Sequence, residues 1–455
     1  MSVAWLAEPG RARGKTLGPG QLIGFLWVAF ALNYLDRQMV YSMFPALRVG
    51  LGIDAARLGL IGSVFLWVYT LSMPLAGRLA DKWRPQWMIL ASLVLWSVAT
   101  LGSGLSQSEG AFVGWRAAMG VTEALYFPAA LALIASYCPG EMRSRALGVH
   151  QSAQFVGVML GGWYGGWSAD HVGWRQAFWV AGAVGIVYSI VLWGVFRRLA
   201  PAAFGLLPPV AVVSKSSPPL RSGFGNLRGN LHGNLRGNLR GDLRGDLHGG
   251  LHSDLHSDLH SDLPSYVMLC LTFAAFCAMQ WIYLAWFPTF LYERYHLSMT
   301  DSGWNATVFL QGSAMVGILT SAAVADRLAG RWPKARLYVT AASVLACAPF
   351  AYLTFATDSL PMARLYSAIF GLFAGSLAAN AFAAAYDVIG PGNRGLASGV
   401  LNMMGGLASA TMIYLAGVWK ETVGFPVMMM WMMIVAMLVA SAMLVTVARQ
   451  RIPGK

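Results

Sequence analysis

Four ionisable residues stand where lipid is expected. Asp36 and Arg37 are adjacent inside the apolar run QLIGFLWVAFALNYLDRQMVYSMFPAL (21–47), and Arg116 and Glu123 interrupt another at 110–136. An ionisable group at bilayer depth costs at least about 2.5–3.5 kcal/mol unless it is paired or hydrated, so such groups mark functional pathways by default. Arg116 and Glu123 are seven residues apart, which on a helix puts them on one face, about 10.5 Å apart along the axis. Two acids and two bases can nearly neutralise one another. An arginine in a dry cavity suits a substrate carboxylate, through two parallel hydrogen bonds. A desolvated carboxylate holds its proton more tightly, which suits a proton carrier, and a neighbouring arginine opposes that effect. Anion binding to the arginine would then change the proton affinity of the acid. The competing reading is a static ion-pair network that ties the two segments together. A fifth charge, Arg364, stands near a span end, where it can snorkel.

The elements that must carry these groups follow from composition. The chain has 455 residues, of which 57% are hydrophobic and 11% charged, whereas a soluble domain carries roughly 25% charged residues. Lipid must be the solvent for much of its surface. Apolar runs near the length of a spanning helix recur at 21–47, 58–80, 86–106, 110–136, 145–167, 176–197, 265–291, 303–325, 336–357, 360–386, 395–419 and 425–448. The expected fold is therefore an all-α membrane protein with twelve transmembrane helices. With the N-terminus inside, 24 Lys and Arg fall in inner segments and 5 in outer loops, so both termini are expected to be cytoplasmic. The net charge of +13 follows from that bias, and the bilayer rather than nucleic acid is the expected partner. The basic start reads as leading into an uncleaved signal anchor. Cys138, Cys270, Cys277 and Cys347 show no disulfide framework or metal spacing, which leaves core packing. No cofactor and no catalytic residue is expected, since no nucleophile–base pair, metal triad or phosphate loop is present.

The expected organisation is a tail (1–20), a six-helix half (21–197), a low-complexity linker (198–264), a second six-helix half (265–448) and a short tail (449–455). From Gly225 the linker repeats every four residues as GNLR GNLH GNLR and onward to SDLH SDL. Its composition favours disorder. The alternative is metal binding by His252, His256 and His260 with Asp254 and Asp258, although glycine opposes the helix this needs. The halves resemble each other. Asp81 is echoed by Asp326, Pro45 by Pro288 and Gly148 by Gly399, at offsets of 245, 243 and 251 residues. Such repetition suits two pseudo-symmetric halves around a central cavity and alternating access.

Other residues have more than one reading. Asp81 and Asp326 stand at inner span ends, where a carboxylate can face a helix N-terminus of the other half or pair with Arg145 or Arg394. Such contacts would close an inner gate; ordinary topogenic charge is the plainer reading. Gly157, Gly161 and Gly165, with Gly162 and Gly166 beside them, make a small face for close helix approach, expected to meet the other half. His150 reads as structural. In the second half, Gln280, Tyr283, Asn380 and Asn402 could bind substrate hydroxyls or pair helices.

These motifs resemble a family. GRLADK at 77–82 with its echo VADRLAGR at 324–331 is similar to the signature loop of the major facilitator superfamily. NYLDR at 33–37, the Arg116-x6-Glu123-Ala124-x3-Pro128 pattern, SYCPGEMRSRALG at 136–148, WFPTFLYERYHLS at 286–298 and GLASGVLNMMGG at 395–406 resemble its anion:cation symporter branch. That branch includes bacterial sugar-acid and hexuronate symporters, sialin and vesicular glutamate transporters. Arg84-Pro85 and the repeat linker depart from the pattern. The resemblance implies proton-coupled symport of an organic anion in a bacterial inner membrane. Asp36 and Glu123 would be proton-coupling acids, Arg37 and Arg116 anion-associated, and Tyr34 on the substrate side. A monomer carrying a sugar acid such as a hexuronate or aldonate, or another carboxylate, is the expectation. A drug or lipid-like exporter of the same fold and a non-transporting ligand sensor are the alternatives; paired arginines argue against the first.

Overall fold

The computed structural model describes residues 18–138, 141–197, 239–330, 332, 334–390 and 393–449, without the side chains of 239–261, Glu141, Ser144, Ala322, Ala323, Asp326 and Ala329. All regular structure among them is helical. The first half holds α1 (Pro19–Ser42), α2 (Phe44–Leu51), α3 (Ala55–Ala80), α4 (Pro85–Leu105), α5 (Glu109–Ala124), α6 (Tyr126–Tyr137), α7 (Glu141–His171) and α8 (Trp174–Arg197). The second holds α9 (Leu239–Tyr295), α10 (Met299–Ala329), α11 (Ala335–Ala356), α12 (Leu360–Val388), α13 (Arg394–Trp419) and α14 (Phe425–Arg449). Boundaries follow local chemistry. Asp54 caps α3 by accepting from the Arg57 N–H at 2.8 Å, and Ser108 caps α5 through the Ala111 N–H at 3.3 Å. Gly52, at φ 65°, ends α2 in the left-handed region. Two breaks have prolines behind them: Pro45 follows Met43, and Pro128 follows Leu125. A proline ring cannot donate to the carbonyl four residues back and clashes with it. The second break falls two residues after Glu123.

Nine helical stretches among the described residues are long and apolar enough to cross a membrane, with α5 and α6 counted together. The helices α1, α7 and α10, at 24, 31 and 31 residues, are not among them. Polar groups and glycines dilute their hydropathy: Asn33, Asp36, Arg37 and Gln38 on α1, and five glycines within ten residues on α7. The backbone of α9 is helical from Leu239, well before the expected start at 265. Once the span is nucleated, each upstream residue needs only propagation, which glycine weakens by about 1 kcal/mol each without forbidding it. The remainder of the linker, both tails up to residue 17 and from 450, and the side chains of His252, Asp254, His256, Asp258 and His260 lie outside the described residues.

The two halves pack alike. Helix α1 lies on α7 as α9 lies on α13; α3 on α5 as α10 on α12; and α4 on α8 as α11 on α14. The halves meet through α3 against α13 and α7 against α10. Contact is tight at the end away from the chain termini. There, a Cβ on Gly162 would stand 2.6 Å from the Gly303 carbonyl, and one on Gly59 2.9 Å from that of Tyr414. Asp170 of α7 accepts from the N–H groups of Met299 (3.2 Å) and Thr300 (2.7 Å) and from the Thr300 hydroxyl (2.6 Å), which caps α10 across the interface. At the other end of α3, α7 and α13, a Cβ on Gly77, Gly148, Gly395 or Gly399 would meet nothing within 4 Å. Among the described residues the halves press together at the first end, and no such close approach is made by these four glycines at the second. The glycine face of α7 corrects the expectation: Gly157, Gly161 and Gly165 press on Ala31, Leu35 and Met39 of α1 in their own half, and only Gly162 and Gly166 meet the other half. A four-residue spacing keeps one face, so the two neighbours necessarily point elsewhere.

Candidate functional site

The charges of α1 and α5 meet inside the first half. The Arg37 Nε–H donates to Glu123 Oε2 at 2.6 Å, with both side chains buried. The guanidinium carbon lies 4.7 Å from the Tyr34 ring centre, 5.0 Å from Phe65 and 4.3 Å from Tyr69. Three aromatic faces thus supply the cation with quadrupole attraction and leave a single carboxylate to balance it. The buried amide of Asn33 lies beside the Glu123 carboxylate.

Asp36 points into a different contact. Its carboxylate accepts from the Thr100 hydroxyl at 3.2 Å, and that hydroxyl also lies 3.0 Å from the Trp96 carbonyl. A hydroxyl has one proton and two lone pairs. When Asp36 is ionised, Thr100 donates to it; when Asp36 is protonated, Thr100 donates to Trp96 and accepts from Asp36. Both protonation states are satisfied without rearrangement. Arg116 is fully buried, with its Nη1 3.2 Å from Met119 Sδ and its guanidinium 4.7 Å from the Phe65 ring centre. Its Nε and Nη2 are without partners among the described residues. The expected four-membered neutralising network is therefore only one ion pair, Arg37–Glu123; neither Asp36 nor Arg116 has an ion-pair partner within 4.0 Å among the described residues. A buried unpaired cation is costly.

Between the halves lies a cavity of about 180 Å³. Its polar wall is Tyr34, Arg37 and Gln38 from α1, Gln154 from α7, Gln280 from α9 and Gln311 from α10. Phe155 and Trp281 add aromatic surface. The Gln38 amide donates to the Leu284 carbonyl of α9 at 3.1 Å and ties the halves together at the cavity wall. Arg37 is the bridge between cavity and buried charges: its Nε holds Glu123 and the residue also lines the cavity.

Of the expected substrate residues, Tyr34, Arg37 and Gln280 line the cavity. Arg116, Tyr283, Asn380 and Asn402 do not, and the acids Asp36 and Glu123 are also behind the wall rather than on it. Tyr283 and Asn380 have nearer partners. Tyr283 sits among Phe287, Phe355 and Phe370 at 4.5–5.4 Å between ring centres. Asn380 bonds the Ser376 carbonyl at 2.8 Å within its own helix. Asn402 is on an exposed face of α13. The inner-gate residues are not brought together: Asp81 and Arg145 are exposed without ion pairs among the described residues, and Arg394 donates to the Tyr386 carbonyl at 3.3 Å. The Asp326 side chain lies outside the described residues. His150 is buried and stacked 4.5 Å from Phe30. Its Nε2 lies 3.2 Å from the Tyr126 hydroxyl, which donates to the Leu26 carbonyl at 2.7 Å. A search for charges passes over Gln38, Gln154, Gln311 and Trp281. The available signal was a neutral amide in each of three glycine- or charge-bearing spans.

A bundle of two matching halves with a polar cavity between them, tightly packed at one end, has the form of a membrane carrier. The description Major Facilitator Superfamily matches residues 26–412 and again 268–454, and the chain belongs to that superfamily. It is a multi-pass membrane transporter. The D-galactonate transporter of Escherichia coli is 26% identical over 436 residues, covering 95% of this chain and 95% of that protein. The probable galactarate/D-glucarate transporter of the same species is 26% identical over 176 residues, 37% of this chain and 39% of that one. A crystal structure of a bacterial homolog to the human lysosomal transporter Spinster, inward-facing and occupied, matches with a TM-score of 0.72 at 16% identity, over 97% of this chain and 100% of that one. These relatives fit the anion:cation symporter branch that the motifs resemble.

Proposed function

We propose that the protein is a proton-coupled symporter of a sugar acid, working by alternating access as a monomer with twelve membrane spans and both termini in the cytoplasm of a bacterial cell. The observation that carries this reading is the shared guanidinium: Arg37 lines the cavity while its Nε is held by buried Glu123 at 2.6 Å. Protonation of Glu123 removes the charge that competes for Arg37 and frees it for a substrate carboxylate. Loss of the anion restores the pair and expels the proton. Each cargo thereby favours the other, which is the thermodynamic requirement for coupling. Asp36, with Thr100 able to satisfy either protonation state, serves as a second proton station. Arg116 supports the same charge balance from within the half. The amide-lined wall suits a polyhydroxylated solute and weighs against a lipid-like cargo. The names of the relatives support a sugar acid. With the basic ends inside, the tightly packed end faces outward.

The test uses purified protein in liposomes with a pH gradient, acid outside. Wild type accumulates a labelled sugar acid, and a protonophore abolishes accumulation. Glu123→Gln retains exchange of labelled for unlabelled solute and loses gradient-driven accumulation. Accumulation by Glu123→Gln equal to wild type would reject the assignment.

A further inference from the structure

We infer that the cavity selects a polyhydroxy acid with one carboxylate over its dicarboxylate counterpart. This rests on the reading that the cargo is a sugar acid. Among the described residues, Arg37 is the sole charged side chain in the cavity wall. The other intramembrane arginines do not reach the wall. Arg116 is fully buried against Met119 and Phe65, and Arg364 of α12 donates to Asn305 of α10 at 2.8 Å and is absent from the wall.

What remains is the Tyr34 hydroxyl and four neutral amides, two from each half, with one Gln38 N–H already given to the Leu284 carbonyl. An amide offers both donors and an acceptor, and a hydroxyl needs both. A run of hydroxyls is therefore matched along Gln38, Gln154, Gln280 and Gln311. A carboxylate only accepts, so half of each amide's polar surface is wrong for it. An ionised group taken from water without a paired charge is costly. The first carboxylate has Arg37; a second, at the far end of the same molecule, would have neutral groups alone. Charge-assisted hydrogen bonds are about twice as strong as neutral ones. We expect at least about a tenfold preference for the monocarboxylate, equivalent to about 1.4 kcal/mol.

The experiment is competition against uptake of a labelled six-carbon aldonate in proteoliposomes at neutral pH. The competitors are the unlabelled aldonate, the aldarate of the same stereochemistry and the corresponding neutral alditol. The expected result is strong competition by the aldonate, at least about tenfold weaker competition by the aldarate and weak competition by the alditol. Gln280→Arg places a second cation on the opposite half and is expected to narrow the gap between aldarate and aldonate. Gln311→Arg serves the same purpose if the first variant does not fold. An aldarate that competes as well as the aldonate in wild type overturns this inference and leaves the sugar-acid reading standing. Failure of the labelled aldonate to bind or enter at all removes the sugar-acid reading and this inference together.

Discussion

Gly161 and Gly162 are neighbours on α7 that offer a matched pair of perturbations. A Cβ on Gly161 would stand 2.6 Å from the Leu35 carbonyl of α1, within its own half; a Cβ on Gly162 would stand 2.6 Å from the Gly303 carbonyl of α10, in the other half. Relief to an ordinary contact of 3.4 Å requires about 0.8 Å of separation in both variants. Overpacking of this kind costs about 1–3 kcal/mol. For Gly161→Ala the strain is present whenever the first half is folded, so it lowers thermal stability. For Gly162→Ala it is present only while the halves are closed at this end, so it acts on the conformational equilibrium. A change of 1–3 kcal/mol shifts that equilibrium by roughly 5- to 150-fold towards opening at the tightly packed end. The assay is pulsed electron resonance between spin labels at Val172 and Val423, exposed positions at that end on opposite halves. The native cysteines are buried and react slowly with the labelling reagent. Gly162→Ala should populate a longer distance, whereas Gly161→Ala keeps the wild-type distribution and melts at a lower temperature. Identical distance distributions in the two variants, or a shift confined to Gly161→Ala, would refute the division of the glycine face.

Asp170→Ala removes the cap on α10 and, at about 0.5–2 kcal/mol for a helix N-cap, should open the same end by roughly 2- to 30-fold in the same label pair. Arg116→Met replaces an unpaired buried cation with an apolar chain of similar reach; melting should not fall, ligand affinity in the cavity should hold by calorimetry, and uptake should be lost. A drop in affinity would put Arg116 in contact with the ligand.

Much of the fold is legible in the residues. Apolar runs set the helices, because a segment in lipid must satisfy its own backbone groups, and Asp36, Arg37, Arg116 and Glu123 stand out because charge is costly there. The echo of Asp81 in Asp326 and of Pro45 in Pro288 foretells two like halves, and those halves pack alike. Sequence spacing also leaves room for error. It makes one face of Gly157, Gly161 and Gly165 without saying which helix that face meets. It joins Arg116 and Glu123 on one helix, yet the partner of Glu123 is Arg37, 86 residues away. Tyr283 and Asn380 read as well as Gln280 for a binding role, because polarity alone does not reveal whether a nearer carbonyl or ring has already taken the group.

The sequence by itself determined that the chain lives in lipid, that it comes in two similar halves and that a few charges are too costly to be incidental. Only the tertiary structure decided which of them reaches the cavity, that four amides rather than further charges complete its wall, and which end is tightly packed. Solvent preference is a property of each residue and can be summed along a chain. Access and pairing are properties of distances between segments far apart in sequence, and those exist only once the helices have packed.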